Sequence, residues 1–248
     1  MILIVKRRNF MLLTISLGLL LVLAGFYSFA LHPDSDKWKK EGIIISQVST
    51  SQKVIAFTFD DGPNPDATLQ VLEVLKQHDA KATFFVLGIH AQEYPHLVKS
   101  IQLAGHEIGN HGFSHKIKEY NNTSFAESDI KQSEDVITRI TGTRPRLLRP
   151  PGGFLSRDLI KYCLEEELQV ITWTWQADYK DWKSTDSSYL AEQIVTGIQP
   201  GQIILLHDGG QNRQIMIKAL TQALPELSDL GYSFVTISQL LALQENPQ

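Results

Sequence analysis

Cysteine is almost absent from this chain, with a single residue, Cys163, in 248. One thiol excludes an intramolecular disulfide and a cysteine-built zinc module. It lies in Asp158-Leu-Ile-Lys-Tyr-Cys-Leu164, at helical spacing among apolar residues, the setting of a buried structural thiol rather than a nucleophile. A surplus of positive charge is missing too. Lys and Arg number 23 against 27 Asp and Glu, for a net charge of −4, so the basic surface expected of a nucleic-acid partner is not there. No stretch repeats, and no low-complexity segment interrupts the chain. In one place charge vanishes altogether: Phe10 to Ala30 carries none.

That uncharged run follows Lys6-Arg7-Arg8. It is long enough to span a bilayer as a helix, which takes about 20 residues. A basic flank before the span places the N-terminus in the cytoplasm and the remainder outside. Ser28-Phe29-Ala30 loosely matches a signal-peptidase site, so cleavage and secretion form the competing reading. The length of the run favours an uncleaved, single-pass anchor over residues 1–31. Residues 32–52 are polar without a clear period and read as a linker; 53–243 read as the domain and 244–248 as a tail. With 43% hydrophobic and 20% charged residues, the mix is that of an ordinary globular protein with a full core.

From Val54 onward the chain alternates strand and helix. Strands are expected at Val54–Phe59, Ala82–Leu87, Gly105–Asn110, from Leu147, and at Gln169–Trp175, Gln202–Leu206 and Tyr232–Ile237. Between them fall helices at about 64–78, 91–104, 124–140, 156–168, 188–198 and 213–230, with a last one near 239–243. Asn64-Pro65 supplies an N-cap and a first-turn proline, and Ser124 with Glu127 a capping box. Such alternation predicts an α/β fold with a parallel sheet covered by helices.

Polar residues collect at the strand ends. Asp60 and Asp61 end the first strand, His111 and His115 follow the third, and Arg149 ends the fourth. Asp178 and Asp181 follow the fifth, and His207-Asp208 end the sixth. In β/α barrels catalytic groups gather at the C-terminal ends of strands. Side chains alternate along an extended chain, so the adjacent carboxylates should face different ways, one toward a metal and the other toward substrate or water. On a helical turn the four-residue spacing of His111 and His115 puts both rings on one face. With Asp61 they make a two-His, one-carboxylate set suited to Zn²⁺ or a similar divalent ion. His32, His78, His90 and His96 read as solvated or capping, and His106 receives no role.

In order along the chain stand Thr58-Phe-Asp-Asp-Gly-Pro63, His111-Gly-Phe-Ser-His115, Arg149-Pro-Pro-Gly-Gly153, Asp178-Tyr-Lys-Asp-Trp182 and Leu205-Leu-His207. With these five motifs the chain resembles the NodB-type polysaccharide deacetylases, carbohydrate esterase family 4, over about 53–243. The resemblance implies a distorted (β/α)₇ barrel. It further implies that Asp60 is the catalytic base, held by Arg149, and that His207 is the general acid, oriented by Asp178. Asp61, His111 and His115 would then bind one divalent metal, Zn²⁺ first, with Co²⁺, Ni²⁺ or Mn²⁺ as alternatives. Gly152, through its backbone N–H, Trp182 and Leu205 would meet the substrate. Two positions depart from the family pattern. Gly112 stands where Ser or Thr usually follows the first His, and Gly152-Gly153 stand where an aromatic commonly follows the prolines. Trp173 and Trp175 alternate along the fifth strand, as sugar platform or as core.

The expected activity is metal-dependent hydrolysis of the acetamide of N-acetylated sugars by a monomeric enzyme. Peptidoglycan N-acetylglucosamine is the first candidate substrate, because an anchored, outward-facing domain lies beside cell wall. Chitin oligomers, poly-N-acetylglucosamine or muramic-type residues are alternative substrates. A non-catalytic carbohydrate-binding barrel would lack a base, an acid or a metal ligand, and a metallophosphoesterase would carry more carboxylates.

Overall fold

The computed structural model of the chain describes residues 35–211 and 213–245; the expected anchor over 1–31 lies outside them. Among the described residues no helix is long and apolar enough to cross a membrane. The strands are β1 (Ile44–Ile45), β2 (Val54–Asp60), β3 (Ala82–Val86), β4 (Glu107–Asn110), β5 (Leu147–Leu148), β6 (Gln169–Ile171), β7 (Ile203–His207) and β8 (Ser233–Phe234). They run in the order β1-β6-β5-β4-β3-β2-β7, with β8 beside β2, and every pairing is parallel. The helices are α1 (Ser35–Lys40), α2 (Thr68–Gln77), α3 (Gly88–Glu93), α4 (Pro95–Leu103), α5 (Thr123–Thr141), α6 (Arg157–Glu165), α7 (Ser187–Thr196), α8 (Gln214–Asp229) and α9 (Ile237–Leu241).

The sheet curls until its edges nearly meet. Gln47, just beyond β1, bridges Gln202 at the start of β7, and the Val48 N–H donates to Gly201 O at 2.9 Å. Past β6, the Thr174 N–H donates to Ile203 O at 3.0 Å. The result is the distorted (β/α)₇ barrel expected from the sequence.

Alternation along β2 divides two cores. Ile55, Phe57 and Phe59 pack with Phe84, Ile204 and Leu206 and with α2, α7 and α8 in the larger cluster. Val54 and Ala56 pack with Phe85, Leu147, Ile171 and Ile203. All seven residues of β2 are buried, so a strand covered on both faces carries a continuous apolar run rather than an alternating one.

Several local expectations shift. Residues 32–52 are more than a linker, because α1 buries Trp38 and β1 joins the sheet through β6. Asn64 is not a helix cap: its side chain accepts from Asp66 N at 2.9 Å in a turn, and α2 begins at Thr68. The helix expected at 91–104 is two, since Pro95 starts α4 afresh. α5 is capped by Asn122, whose side chain accepts from Phe125 N at 3.2 Å, and not by a Ser124–Glu127 box. Its C-terminal glycine, Gly142, takes the left-handed conformation that commonly ends a helix. β6 stops at Ile171, short of Trp173 and Trp175.

Candidate active site

Strand alternation aims Thr58 and Asp60 at the barrel interior, where Arg149 arrives from the end of β5. Arg149 is fully buried and is the largest such side chain. Its Nη1 donates to Asp60 Oδ1 at 2.8 Å and to Thr58 Oγ1 at 2.7 Å, and its Nη2 donates to Thr172 O at 2.9 Å. The guanidinium lies 4.2 Å from the centroid of the Phe85 ring. A charge pair removed from water persists only where both members are hydrogen-bonded, and here they are.

Asp61 leaves the strand in a left-handed conformation, φ 69°, which turns its carboxylate toward two imidazoles. Its Oδ1 lies 3.4 Å from His111 Nε2 and 3.2 Å from His115 Nε2. The two rings do not share a helical face. They come from a loop whose geometry depends on Gly112, φ 76°, where any Cβ would collide with the Tyr120 hydroxyl and sit 2.7 Å from Asp129 Oδ2. Asp129 ties that loop down, accepting from Phe113 N at 2.8 Å, Ser114 Oγ at 2.6 Å and Tyr120 Oη at 2.8 Å.

The donor set fits a divalent cation. His111 donates through Nδ1 to Arg149 O at 2.6 Å, which leaves the Nε2 lone pair facing Asp61. Asp61 Oδ1 is buried without a hydrogen-bond partner, and the ligand atoms of Asp61, His111 and His115 lie within 4.8 Å of one another. Burial alone would raise the Asp61 carboxyl. Without a metal, the close approach of His111 and the charges that His111, His115 and His207 carry when protonated instead hold it well below the usual carboxylate range.

At the end of β7, His207 is gripped twice by Asp181. Nδ1 donates to Asp181 Oδ1 at 2.8 Å, and the His207 backbone N–H donates to Oδ2 at 3.0 Å. Arg213 Nη1 lies 3.7 Å from the same carboxylate. Burial opposes a charge on His207, but the Asp181 hydrogen bond and charge raise its pKa above the ordinary value. This corrects the sequence reading, which gave the orienting role to Asp178. Asp178 accepts from Lys180 N at 3.2 Å and runs beside Leu205 as backbone. Between the two carboxylates Lys180 takes a left-handed turn, φ 51°, and Asp181 is the one that ends up buried.

These groups open into one cleft of about 420 Å³, lined by Asp60, Asp61, His111, His115, Ile117, Gly152, Trp173, Trp182, Leu205 and His207. Trp182 is 57% exposed and stands at its rim. Trp173, undecided from sequence, lines the cleft, whereas Trp175 is 83% exposed and belongs to neither core nor cleft. Gly153 is a glycine because a Cβ there would lie 2.9 Å from the Trp173 ring. The indole thus occupies space that a side chain at 153 would claim. At Gly152 a Cβ would likewise lie 3.0 Å from Ile117, a lining residue that no sequence motif announced.

Comparison with known proteins agrees with this geometry. Residues 47–171 match the family model for polysaccharide deacetylases. A peptidoglycan-N-acetylglucosamine deacetylase of Bacillus cereus is 40% identical over 81% of this chain and 93% of its own length. The peptidoglycan-N-acetylmuramic acid deacetylase PdaC of Bacillus subtilis is 36% identical over 78% of this chain, which spans 40% of that protein. Among solved structures, a peptidoglycan N-acetylglucosamine deacetylase in complex with 4-naphthalen-1-yl-N-oxidanyl-benzamide superposes with a TM-score of 0.80 at 30% identity, covering 86% of this chain and all of that one. This chain belongs to the polysaccharide deacetylase family.

Proposed function

We propose that the chain hydrolyses the acetamide of N-acetylated sugars in cell-wall polysaccharide, with peptidoglycan N-acetylglucosamine as the principal substrate. One observation carries the reading. A carboxylate held by a buried guanidinium and an imidazole held by a buried carboxylate meet in one cleft, at the ends of neighbouring strands, beside an Asp/His/His cluster. A divalent ion bound by Asp61, His111 and His115, with Zn²⁺ first, would supply Lewis-acid polarisation of the acetyl carbonyl and acidify a water. Asp60, fixed by Arg149, takes the proton of the attacking water. His207, fixed by Asp181, gives a proton to the departing sugar amine, so that acetate and a free amine leave. Trp173, Trp182 and Leu205 offer apolar surface to a sugar ring.

The names of the relatives support the cell-wall substrate, and PdaC keeps muramic residues in view. Lys6-Arg7-Arg8 and the uncharged run that follows support an anchor that holds the domain outside the membrane. The working unit in this reading is a monomer. The test measures acetate released from peptidoglycan, chitin oligomers and acetylated xylan, with and without chelator. Chelator-sensitive release from the amide substrates, restored by Zn²⁺, is expected. Release from xylan alone would make the chain an ester hydrolase and overturn the proposal.

A further inference from the structure

His90 lies on α3, away from every motif noted in the sequence, yet its Nδ1 is 2.8 Å from the backbone oxygen of Asp61. A carbonyl only accepts, so His90 donates through Nδ1. This bond continues a row. The N–H groups of Leu87, Gly88 and Ile89 donate to Gly62 O at 2.9 Å, Gly112 O at 2.9 Å and Phe113 O at 3.1 Å. Four successive donors at one strand–helix corner therefore hold the carbonyls of two separate loops, one carrying Asp61 and the other His111 and His115. Gly88 permits the approach, since a Cβ there would lie 2.5 Å from the Phe113 ring and 2.8 Å from Ser133 Cα. From the other side Gly209 packs so closely on the Asp61 backbone that no side chain would fit.

Asp61 needs such a hold. A non-glycine residue at φ 69° is in a sparsely populated conformation that persists only where its surroundings over-determine it. If the Asp61 peptide relaxed, its carboxylate would swing away from His111 and His115.

We propose that His90 is a positioning residue for the metal ligand Asp61. Its Nδ1–H locks the left-handed turn and, with the adjoining backbone donors, sets the spacing of the three ligands. The inference rests on the metal-dependent reading of the site, and the experiment separates the two. The full-length chain in detergent is stripped of metal and titrated with Zn²⁺ against a chromogenic chelator, as wild type, Asp61→Asn, His90→Ala and His90→Asn. The Asn side chain places a donor near the position of Nδ1. His90→Ala should weaken Zn²⁺ binding about 10- to 100-fold, the usual cost of removing a group that orients a ligand. His90→Asn should recover most of that loss, whereas a residue that merely fills space would not be rescued by a smaller amide.

Binding by His90→Ala equal to wild type, while Asp61→Asn has lost it, overturns the inference and leaves the metal site standing. So does an Asn variant as weak as the Ala variant. Equal binding by wild type and Asp61→Asn overturns the metal site and this inference together. Should His90→Ala fail to fold, ¹⁵N NMR of the metal-free wild type decides. A proton on Nδ1 of His90 supports the proposal, and a proton on Nε2 alone overturns it.

Discussion

Asp178 and Asp181 are three residues apart in one short motif, and only one of them touches His207. A spacing shows that a carboxylate is near; which one is buried depends on the left-handed turn at Lys180, a backbone choice that the sequence does not announce. The distinction has a kinetic signature. Asp181 raises the pKa of His207, so Asp181→Asn removes that support and the protonated acid is lost at lower pH. The alkaline limb of the kcat/KM profile should move to lower pH in Asp181→Asn and stay in place in Asp178→Asn; a shift in the Asp178 variant would restore the original reading. The acid–base pair itself is tested by leaving group. Asp60→Asn and His207→Ala should each lower kcat on an N-acetylated oligosaccharide by about 10²- to 10⁴-fold. On an aryl acetate, whose leaving group needs little protonation, Asp60→Asn should remain severe and His207→Ala become mild. Equal losses from His207→Ala on both substrates would remove His207 from the role of acid.

Among the elements, the strands were legible and their joints were not. The apolar runs of β2, β3 and β7 are visible in any reading, because both faces of those strands are buried. The caps were misplaced because Asn122 and Ser124 are both good caps, and the loop trajectory chooses between them. Asp208 marks another such joint, between β7 and α2. Its carboxyl is buried, accepts from Thr68 Oγ1 at 2.5 Å, fills the space that a side chain at Gly62 would need and leaves Oδ1 without a partner. Burial pushes its pKa up to about 7, while an unfolded Asp titrates at about 3.9. Between those values Asp208 holds a proton in the folded chain that it lacks in the unfolded one, so its contribution to stability falls as pH rises through that window and is lost above it. In Asp208→Asn the difference in Tm between pH 5 and pH 8 should shrink. An unchanged difference would mean that Asp208 does not titrate in that window.

For the whole molecule, the seven-fold β/α plan followed from the alternation of elements, but its closure did not. The segment that closes the ring was read as linker, since a two-residue strand carries too little period to be seen. Its contribution is measurable. A chain beginning at Ser49 lacks α1, β1 and the Gln47–Gln202 bridge, and it should unfold at a clearly lower temperature than one beginning at Ser35. Equal Tm values would return 35–48 to the status of linker. Arg149 raises a different matter at this scale. Removing it alone, as Arg149→Met, leaves Asp60 buried and uncompensated and should cost about 3–5 kcal/mol in urea unfolding. Replacing both, as Asp60→Leu with Arg149→Met, should recover most of that loss, because an apolar pair of similar volume is often as stable as the ions. Failure of the double variant to exceed the single one would show that Thr58 and the carbonyls around Arg149 need the guanidinium more than Asp60 does. If the recovery occurs, this barrel would hold together as well without its chemistry, and selection for activity alone would keep a charge at its centre.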